Sequence, residues 1–326
     1  MTDNASMDRG TAPPWNGPSP GWRPVRVREG RVEWAWFGDA RLSEPFYELS
    51  ARRARAGHPE RPSTSLADLP SQAEAFPPAR PHGLIFHMSR SGSTLAARML
   101  AAGGDLLLAE PQPLDAVVRE PRLSAEARVE LVRAMVRVLG APAAAEPRLF
   151  LKLDCWHVRD LPLFRQAFPE TPWVFLYRDP VEVLVSHQEE CGVQTVPQFF
   201  PPAFWGLEDV APLPGPDWTA RVLAVMCEHA EAGLRLGGGR LVNYADLPGA
   251  VIDEVLPHFG VRPTPAERAA MAAATAPHAK RRSAFIPDAA ARQAAAGPEI
   301  RAAAQGRLRE AYARLEHIRR ATAPLA

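Results

Sequence analysis

A run of hydroxyl, guanidinium and glycine residues follows the apolar stretch at 83–86. Its chemistry-bearing members are Ser89, Arg90, Ser91, Gly92, Ser93 and Thr94. The hydroxyl groups can donate hydrogen bonds, the arginine adds a fixed positive charge, and the glycine lets the backbone approach a ligand closely. If a helix begins here, its unpaired N–H groups favour the same kind of ligand. The run is predicted to bind a phosphate-like anion; the alternative is an ordinary turn of small residues.

The loop differs from the phosphate loop that holds nucleoside triphosphates. That loop, G-x-x-x-x-G-K-[ST], would require glycine at His87 and lysine at Ser93. The lysine that holds the β- and γ-phosphates is therefore missing. We expect an anion other than a triphosphate.

A second pattern suited to an anion begins at Arg178, directly after the apolar run at 173–177. Asp179 is suited to cap a helix, and Pro180 is suited to its first turn. Ser186 falls two turns into that helix, so Arg178 and Ser186 are predicted to hold a second phosphate group. The alternative is an arginine paired with a nearby carboxylate and an incidental helix serine.

Together, the two patterns resemble the sulfotransferases that use 3′-phosphoadenosine 5′-phosphosulfate. In that family, [KR]-[ST]-G-[ST]-[ST] binds the 5′-phosphosulfate, as Arg90 to Thr94 would here. R-[DN]-P followed by a serine eight residues after the arginine binds the 3′-phosphate, which is the spacing from Arg178 to Ser186. The resemblance covers about residues 83–288. It implies a P-loop-type, doubly wound α/β fold with a mainly parallel sheet flanked by helices, the phosphosulfate as co-substrate, and no metal.

The sequence departs from the family near its end. Many animal members carry R-K-G-x-x-G over the adenosine and 3′-phosphate, and no such run occurs here. The basic residues Lys280 and Arg281, within 278–287, are the expected replacement. A solvated basic loop is the alternative.

Sulfuryl transfer needs a base for the acceptor proton and cations around the transferred group. Glu110 is the first choice for the base because it follows the apolar run at 105–109, as a catalytic glutamate does in some family members. Arg90 would add positive charge. A loop or capping carboxylate is the structural alternative for Glu110.

The end of the apolar run at 148–154 supplies further candidates. His157 or Asp154 is the alternative base, and histidine is the base in other members of the family. Lys152 lies in an apolar frame and needs an anionic partner, either the sulfuryl group or Asp154. A His157 packed against Trp156 and a structural Lys152–Asp154 pair are the alternatives.

The elements that must position these residues alternate between apolar runs and helical stretches. Strands are predicted at 83–88, 105–109, 148–154, 173–178 and 240–244. Helices are predicted at 93–102, 124–139, 158–168, 180–190, 219–236 and 298–322, with a further strand at 32–37 and helix at 39–56. Such alternation predicts a parallel sheet covered on both faces. We predict a disordered tail over 1–24, a strand and helix appendage with linker over 25–81, and a sulfotransferase-like domain over 82–326.

The composition limits the partners. A net charge of +1 gives no field that would attract nucleic acid or an anionic membrane. No stretch reaches the roughly 18 apolar residues of a membrane helix, and three well-separated cysteines indicate reduced thiols. We expect a soluble, cytoplasmic protein with a small-molecule acceptor, and the oligomeric state stays open.

The aromatic, proline-rich segment 191–218 follows the second motif. Its aromatic side chains are predicted to line an acceptor site, which favours an apolar or aromatic acceptor; they are Phe199, Phe200, Phe204 and Trp205. Two other functions stay open. One is a phosphotransferase on a P-loop scaffold, and the other is a non-catalytic nucleotide-binding protein.

Overall fold

The computed structural model describes residues 15–38, 42, 44, 46–57, 61–141, 148–211, 214–275 and 288–322. Within them the strands are β1 Trp22–Arg28, β2 Arg31–Trp36, β3 Ser63–Ser65, β4 Gly83–His87, β5 Leu106–Ala109, β6 Leu149–Lys152, β7 Trp173–Tyr177 and β8 Gly239–Asn243. The helices are α1 Tyr47–Gly57, α2 Leu69–Ala73, α3 Ser93–Ala102, α4 Gln112–Val118, α5 Ala125–Gly140, α6 Leu161–Ala167, α7 Pro180–Glu189, α8 Pro202–Trp205, α9 Pro216–Gly233, α10 Leu256–His258, α11 Pro265–Ala273, α12 Ala289–Ala295, α13 Pro298–Ala304 and α14 Arg307–Ala321. None of these helices combines the length and apolar character needed to cross a bilayer.

The central sheet has the strand order β5-β6-β4-β7-β8, and every neighbouring pair is parallel. Successive residues of its strands enter two different cores: Leu84 and Phe86 pack on one face, and Ile85 packs on the other. Because helices cover both faces, the middle of each strand is mainly apolar, as the sequence indicated. The fold is the mainly parallel, helix-flanked α/β class predicted from the sequence.

The carboxyl ends of the parallel strands lie at one edge of this sheet. From β4 the chain goes to one side for β5 and β6, and it then crosses to the other side for β7 and β8. A crevice for ligands forms at such a change of direction. The loops after β4, β5, β6 and β7 carry most of the predicted site residues to this edge.

The N-terminal strands form an antiparallel sheet in the order β1-β2-β3. A two-residue turn at Glu29 and Gly30, with φ of 52° and 72°, joins β1 to β2. Strand β1 begins at Trp22, inside the range 1–24 predicted to be a tail, because Trp22 is 1% exposed and packs in the main core. Trp34 joins the same core. This sheet is therefore continuous with the packing of the parallel domain.

Two predicted helices have different bounds in the structure. The helix expected over 39–56 begins at Tyr47. The helix expected over 298–322 is divided into α13 and α14 at Gly306, whose φ of 70° is outside the helical region. The Leu308, Ala311 and Leu315 side chains of α14 are buried in the core, and Ile318 is half-buried.

Candidate functional site

The loop between β4 and α3 has an unusual backbone. Ser89, Arg90 and Gly92 have φ values of 63°, 51° and 84°, although only glycine adopts positive φ without strain. A Cβ on Gly92 would lie 2.5 Å from Leu247 Cδ1 and 2.9 Å from Tyr244 Cδ2. Backbone strain of this kind concentrates at ligand sites. Residue 92 must therefore be glycine for both its φ and its surroundings.

His87 holds the start of this loop in place through a hydrogen bond. Its Nδ1 accepts a hydrogen bond from the Ser89 N–H at 3.1 Å, which places the ring proton on Nε2, 3.0 Å from the Leu153 carbonyl oxygen. Burial lowers the pKa of His87, and the imidazole is neutral at neutral pH. His87 thus fixes the start of the loop against the end of β6.

The two predicted anion motifs meet in space. Arg90 Nε donates to Ser186 Oγ at 3.0 Å, and Arg90 Nη1 donates to Glu190 Oε2 at 2.7 Å. Arg178 is only 3% exposed, and its guanidinium lies 3.7 Å from the centre of the Tyr244 ring. Residues far apart in the chain therefore meet at one edge of the sheet.

This region surrounds a cavity of about 380 Å³. Its lining residues are Phe46, His87, Ser89, Arg90, Ser91, Gly92, Ser93, Thr94, Glu110, Lys152, Arg178, Ser186, Tyr244 and Arg292. Ser91 Oγ is buried and has no hydrogen-bond partner among the described residues. A buried hydroxyl of this kind calls for a partner, and an anion in the cavity would supply one. The loop, the hydroxyl groups and the four basic side chains fit a ligand with several anionic groups.

Glu110 and Lys152 form an ion pair at the same cavity. Strands β5 and β6 end side by side, and the Glu110 N–H donates to the Lys152 carbonyl oxygen at 2.8 Å. Burial raises the pKa of Glu110, but Lys152 and His87 outweigh it and hold the pKa at about 2. The anionic partner of the buried Lys152 is therefore Glu110 and not Asp154.

Asp154 and His157 do not line the cavity. His157 lies in a 3₁₀ helix at Cys155–Asp160, is 1% exposed, and its Nε2 is 2.9 Å from Asp115 Oδ1. Burial lowers the pKa of His157, but Asp115 and Asp154 outweigh it and the net shift is upward. Burial raises the pKa of Asp154 to about 7. Of the three candidate bases, Glu110 lines the cavity beside the β4–α3 loop, and Asp154 and His157 do not.

These buried groups have the composition of a metal-ligand set. Ligand-type atoms of Asp115, Asp154 and His157 lie within 4.8 Å of one another. Asp115 Oδ1 also accepts a hydrogen bond from Trp156 Nε1 at 2.7 Å. The absence of a metal, inferred from the sequence, stays a prediction.

Sequence reasoning missed three residues at the cavity. Tyr244 follows β8 directly, and the rule that sites lie at strand carboxyl ends could have found it. The Phe46 ring centre is 5.0 Å from Lys152 Nζ, and Arg292 reaches the cavity from α12. Nothing in the local sequence distinguishes Phe46 or Arg292 from other aromatic residues and arginines.

The remaining predicted site residues are the late basic pair and the aromatic residues of 191–218. Lys280 and Arg281 lie outside the described residues. Phe200 and Trp205 are core residues, at 2% and 3% exposure, because their rings pack around Trp156 and α8. Phe200 and Trp205 do not line the cavity, and Phe199 is 63% exposed. The aromatic acceptor wall stays a prediction.

The chain is thus a mainly parallel α/β protein in which the two sequence motifs predicted to bind anions meet at one sheet edge. No family model and no curated protein matches the chain. Similar solved structures include a sulfotransferase from Alicyclobacillus acidocaldarius, with 15% identity, a TM-score of 0.47, and coverage of 74% of this chain and 96% of that one. A sulfotransferase domain of the curacin biosynthetic pathway has 16% identity, a TM-score of 0.42, and coverage of 74% and 99%.

A sulfotransferase from Mycobacterium avium is similar at 13% identity and a TM-score of 0.48, with coverage of 82% of both chains.

Proposed function

We propose that the protein is a sulfotransferase, which moves a sulfuryl group from 3′-phosphoadenosine 5′-phosphosulfate to a hydroxyl or amine of a small acceptor. The observation that carries the proposal is the 3.0 Å contact between Arg90 Nε and Ser186 Oγ, which joins the two motifs at one cavity. A donor with separate 5′ and 3′ anionic groups matches two adjacent anion sites. A triphosphate would need only the first.

The loop residues hold the 5′ end of the donor in this proposal. Backbone N–H groups at the start of α3, with the Ser93 and Thr94 hydroxyls, bind phosphate oxygens. The buried Ser91 Oγ would gain the partner that it lacks. Arg178 and Ser186 hold the 3′-phosphate. Bound in this way, the donor supplies an activated sulfuryl group to the acceptor.

Glu110 is the proposed base. The acceptor oxygen forms a bond to sulfur as its proton passes to the Glu110 carboxylate, and the bond between sulfur and the 5′-phosphate oxygen breaks. The electron pair of that bond stays on the phosphate. Lys152 and Arg90 stabilise the charge on the transferred group and on the leaving phosphate.

The Glu110–Lys152 pair explains how a carboxylate with a low pKa can accept a proton. In the ligand-free protein, Lys152 holds Glu110 ionised. When the Lys152 ammonium turns to the sulfuryl oxygens, Glu110 loses its main stabilising charge and its proton affinity rises. The base is thus activated only when the donor is in place.

The residues around the Glu110–Lys152 pair and the net charge of the chain bear on the proposed acceptor. Phe46 gives the cavity an apolar surface next to Lys152, which favours an apolar or aromatic acceptor. A net charge of +1 fits a small-molecule acceptor better than a polyanion. We propose a cytoplasmic location because all three cysteines are free thiols.

Calorimetric titration with adenosine 3′,5′-bisphosphate in the absence of metal tests the donor site. We expect binding that Arg178→Ala abolishes and that Arg307→Ala, a surface arginine paired with Glu228, leaves intact. Tighter binding of Mg²⁺–ATP would indicate a phosphotransferase instead.

Bisphosphate release from the donor, measured with a panel of phenols and alcohols, should fall at least about 100-fold in Glu110→Gln. Binding without any turnover would indicate a nucleotide-binding protein.

A further inference from the structure

Arg292 brings a further cation to the cavity from α12. Its side chain is 15% exposed, Nε donates to Asp288 Oδ2 at 2.5 Å, and Nη1 donates to Glu189 Oε2 at 2.9 Å. Because Arg292 lies one helical turn after Asp288, the two side chains share a face of the helix. The guanidinium is thus held at the cavity by two carboxylates.

The Asp288 carboxylate is bound by more than Arg292. Its Oδ1 pairs with Arg178 Nη2 and accepts a hydrogen bond from the Tyr244 hydroxyl at 3.1 Å. Two guanidinium groups and one phenol therefore converge on a single anionic group. Such a set of charge-assisted donors is typical of a site for a phosphate or carboxylate.

We infer that Arg292 and Tyr244 join Arg178 and Ser186 at the position of the donor's 3′-phosphate, and that the Asp288 carboxylate fills this position until the donor binds. This inference rests on the proposed sulfotransferase function and adds a ligand, Arg292, to the donor site. A phosphate has enough oxygens to accept from both guanidinium groups and the hydroxyl together. Lys280 and Arg281 lie outside the described residues, and their role at the donor stays a prediction.

The Asp288 side chain can turn away from Arg178 and Arg292 into solvent. Its side chain is 29% exposed, and although it stands at the N-cap of α12 it makes no capping hydrogen bond there. Moving the carboxylate into solvent therefore removes no hydrogen bond from the helix. Arg292 itself is one turn further along, so it can stay at the cavity while Asp288 turns away.

Titration of the full chain with two nucleotides tests this assignment. Adenosine 3′,5′-bisphosphate carries the 3′-phosphate, and adenosine 5′-phosphate lacks it. We expect Arg292→Ala to weaken bisphosphate binding about tenfold or more, the loss of roughly one charge-assisted pair, and to leave 5′-phosphate binding unchanged. Arg292→Lys should recover part of the loss. Asp288→Asn should tighten bisphosphate binding severalfold, because no carboxylate then competes.

The outcomes separate this inference from the function on which it rests. If the unmodified chain binds neither nucleotide, the proposed function fails and the inference fails with it. If the chain binds the bisphosphate and Arg178→Ala abolishes binding, but Arg292→Ala has no effect or weakens both nucleotides equally, only the inference is overturned. Weaker bisphosphate binding in Asp288→Asn would also overturn it. Unchanged binding in Arg307→Ala is the matched control.

Discussion

Lys152 is a charged residue whose side chain is almost fully buried. Its ammonium is 1% exposed, beneath the Phe46 ring and paired with Glu110. A buried charge is tolerated only when an opposite charge and hydrogen bonds compensate for lost water. The pair assigned to the chemistry is therefore also a structural requirement. Stability and activity are linked at this point.

Replacing one member of this pair should cost more stability than replacing both. Glu110→Gln leaves the Lys152 charge buried without a counter-charge, and we expect a loss of about 3 kcal/mol in the free energy of unfolding. The double variant Glu110→Gln/Lys152→Met should be more stable than Glu110→Gln alone. Urea unfolding of both variants and of Lys152→Met measures the coupling. Additive losses would show that the two charges act independently.

Asp154 should make stability depend on pH in the opposite sense to an ordinary paired carboxylate. Burial raises its pKa from 3.8 to about 7 in the fold. The free energy of unfolding is therefore unaffected by this group below pH 3.8, and it decreases as the pH rises to about 7, because the unfolded chain loses the Asp154 proton first. Asp154→Asn cannot ionise, so its stability relative to the unmodified chain should increase between pH 5 and pH 8.

Urea unfolding at the two pH values measures this change, which includes the effect of the nearby His157. Asp217→Asn serves as a control, because that side chain is 72% exposed. A constant difference between Asp154→Asn and the unmodified chain would contradict the raised pKa.

At the scale of single elements, the β4–α3 loop makes the most specific demand on sequence. Gly92→Ala places a Cβ within 2.5 Å of Leu247 and also requires alanine at a φ of 84°. Gly260→Ala at a φ of 72° meets no atom within 4 Å. We expect roughly 1–2 kcal/mol of destabilisation for Gly260→Ala, a larger loss for Gly92→Ala, and weaker bisphosphate binding only in the latter.

Thermal unfolding and calorimetry on the two glycine variants give both quantities. Equal losses in the two would mean that the approach of Leu247 and Tyr244 to Gly92 has no energetic weight. Normal bisphosphate binding by Gly92→Ala would mean that the shape of this loop does not matter to the ligand.

The sequence was most informative about elements with strong local patterns. The five central strands are mainly apolar because both faces of the sheet are covered, and α3 occupies 93–102 as predicted. The division between α13 and α14 was missed, although Gly306 marks it. The alanine-rich surroundings kept the helical pattern continuous across that glycine. Local patterns thus predict elements better than their interruptions.

Contacts between distant residues were less accessible to sequence reasoning. Glu110 was expected at the sheet edge because it follows a strand, and the structure puts it at the cavity. Its pairing with Lys152 depends on the neighbouring positions of β5 and β6, which strand order alone decides. Phe46 and Arg292 reach the cavity from outside the parallel sheet, and no motif marks them.

At the scale of the whole molecule, the N-terminal sheet and the parallel domain share one core. Trp34 is fully buried, stacks on Phe76 with ring centres 6.2 Å apart, and belongs to the same cluster as Phe86 and Phe175. Because the packing is continuous, the two parts should unfold together. Phe46, in the segment after β2, lines the cavity. The N-terminal part of the chain therefore also contributes to the candidate site.

Trp34→Ala tests this continuity. We expect a loss of roughly 3–5 kcal/mol in the free energy of unfolding, in a single transition seen equally by far-UV circular dichroism and by bisphosphate binding. Leu49→Ala, at a side chain that is 40% exposed, should cost far less. Two separate transitions, with ligand binding retained after the first, would show that the N-terminal sheet folds on its own.

Every arginine at the cavity contacts a carboxylate: Arg90 contacts Glu190, Arg178 contacts Glu182 and Asp288, and Arg292 contacts Glu189 and Asp288. Seen from a distance, these pairs cancel one another's electric field. An approaching anionic ligand is therefore not steered to the cavity, and it meets the positive charges only when it replaces their partners. Stopped-flow association rates should consequently change little with ionic strength, unlike those of an electrostatically steered enzyme. The protein would capture its ligand by exchange after a random encounter.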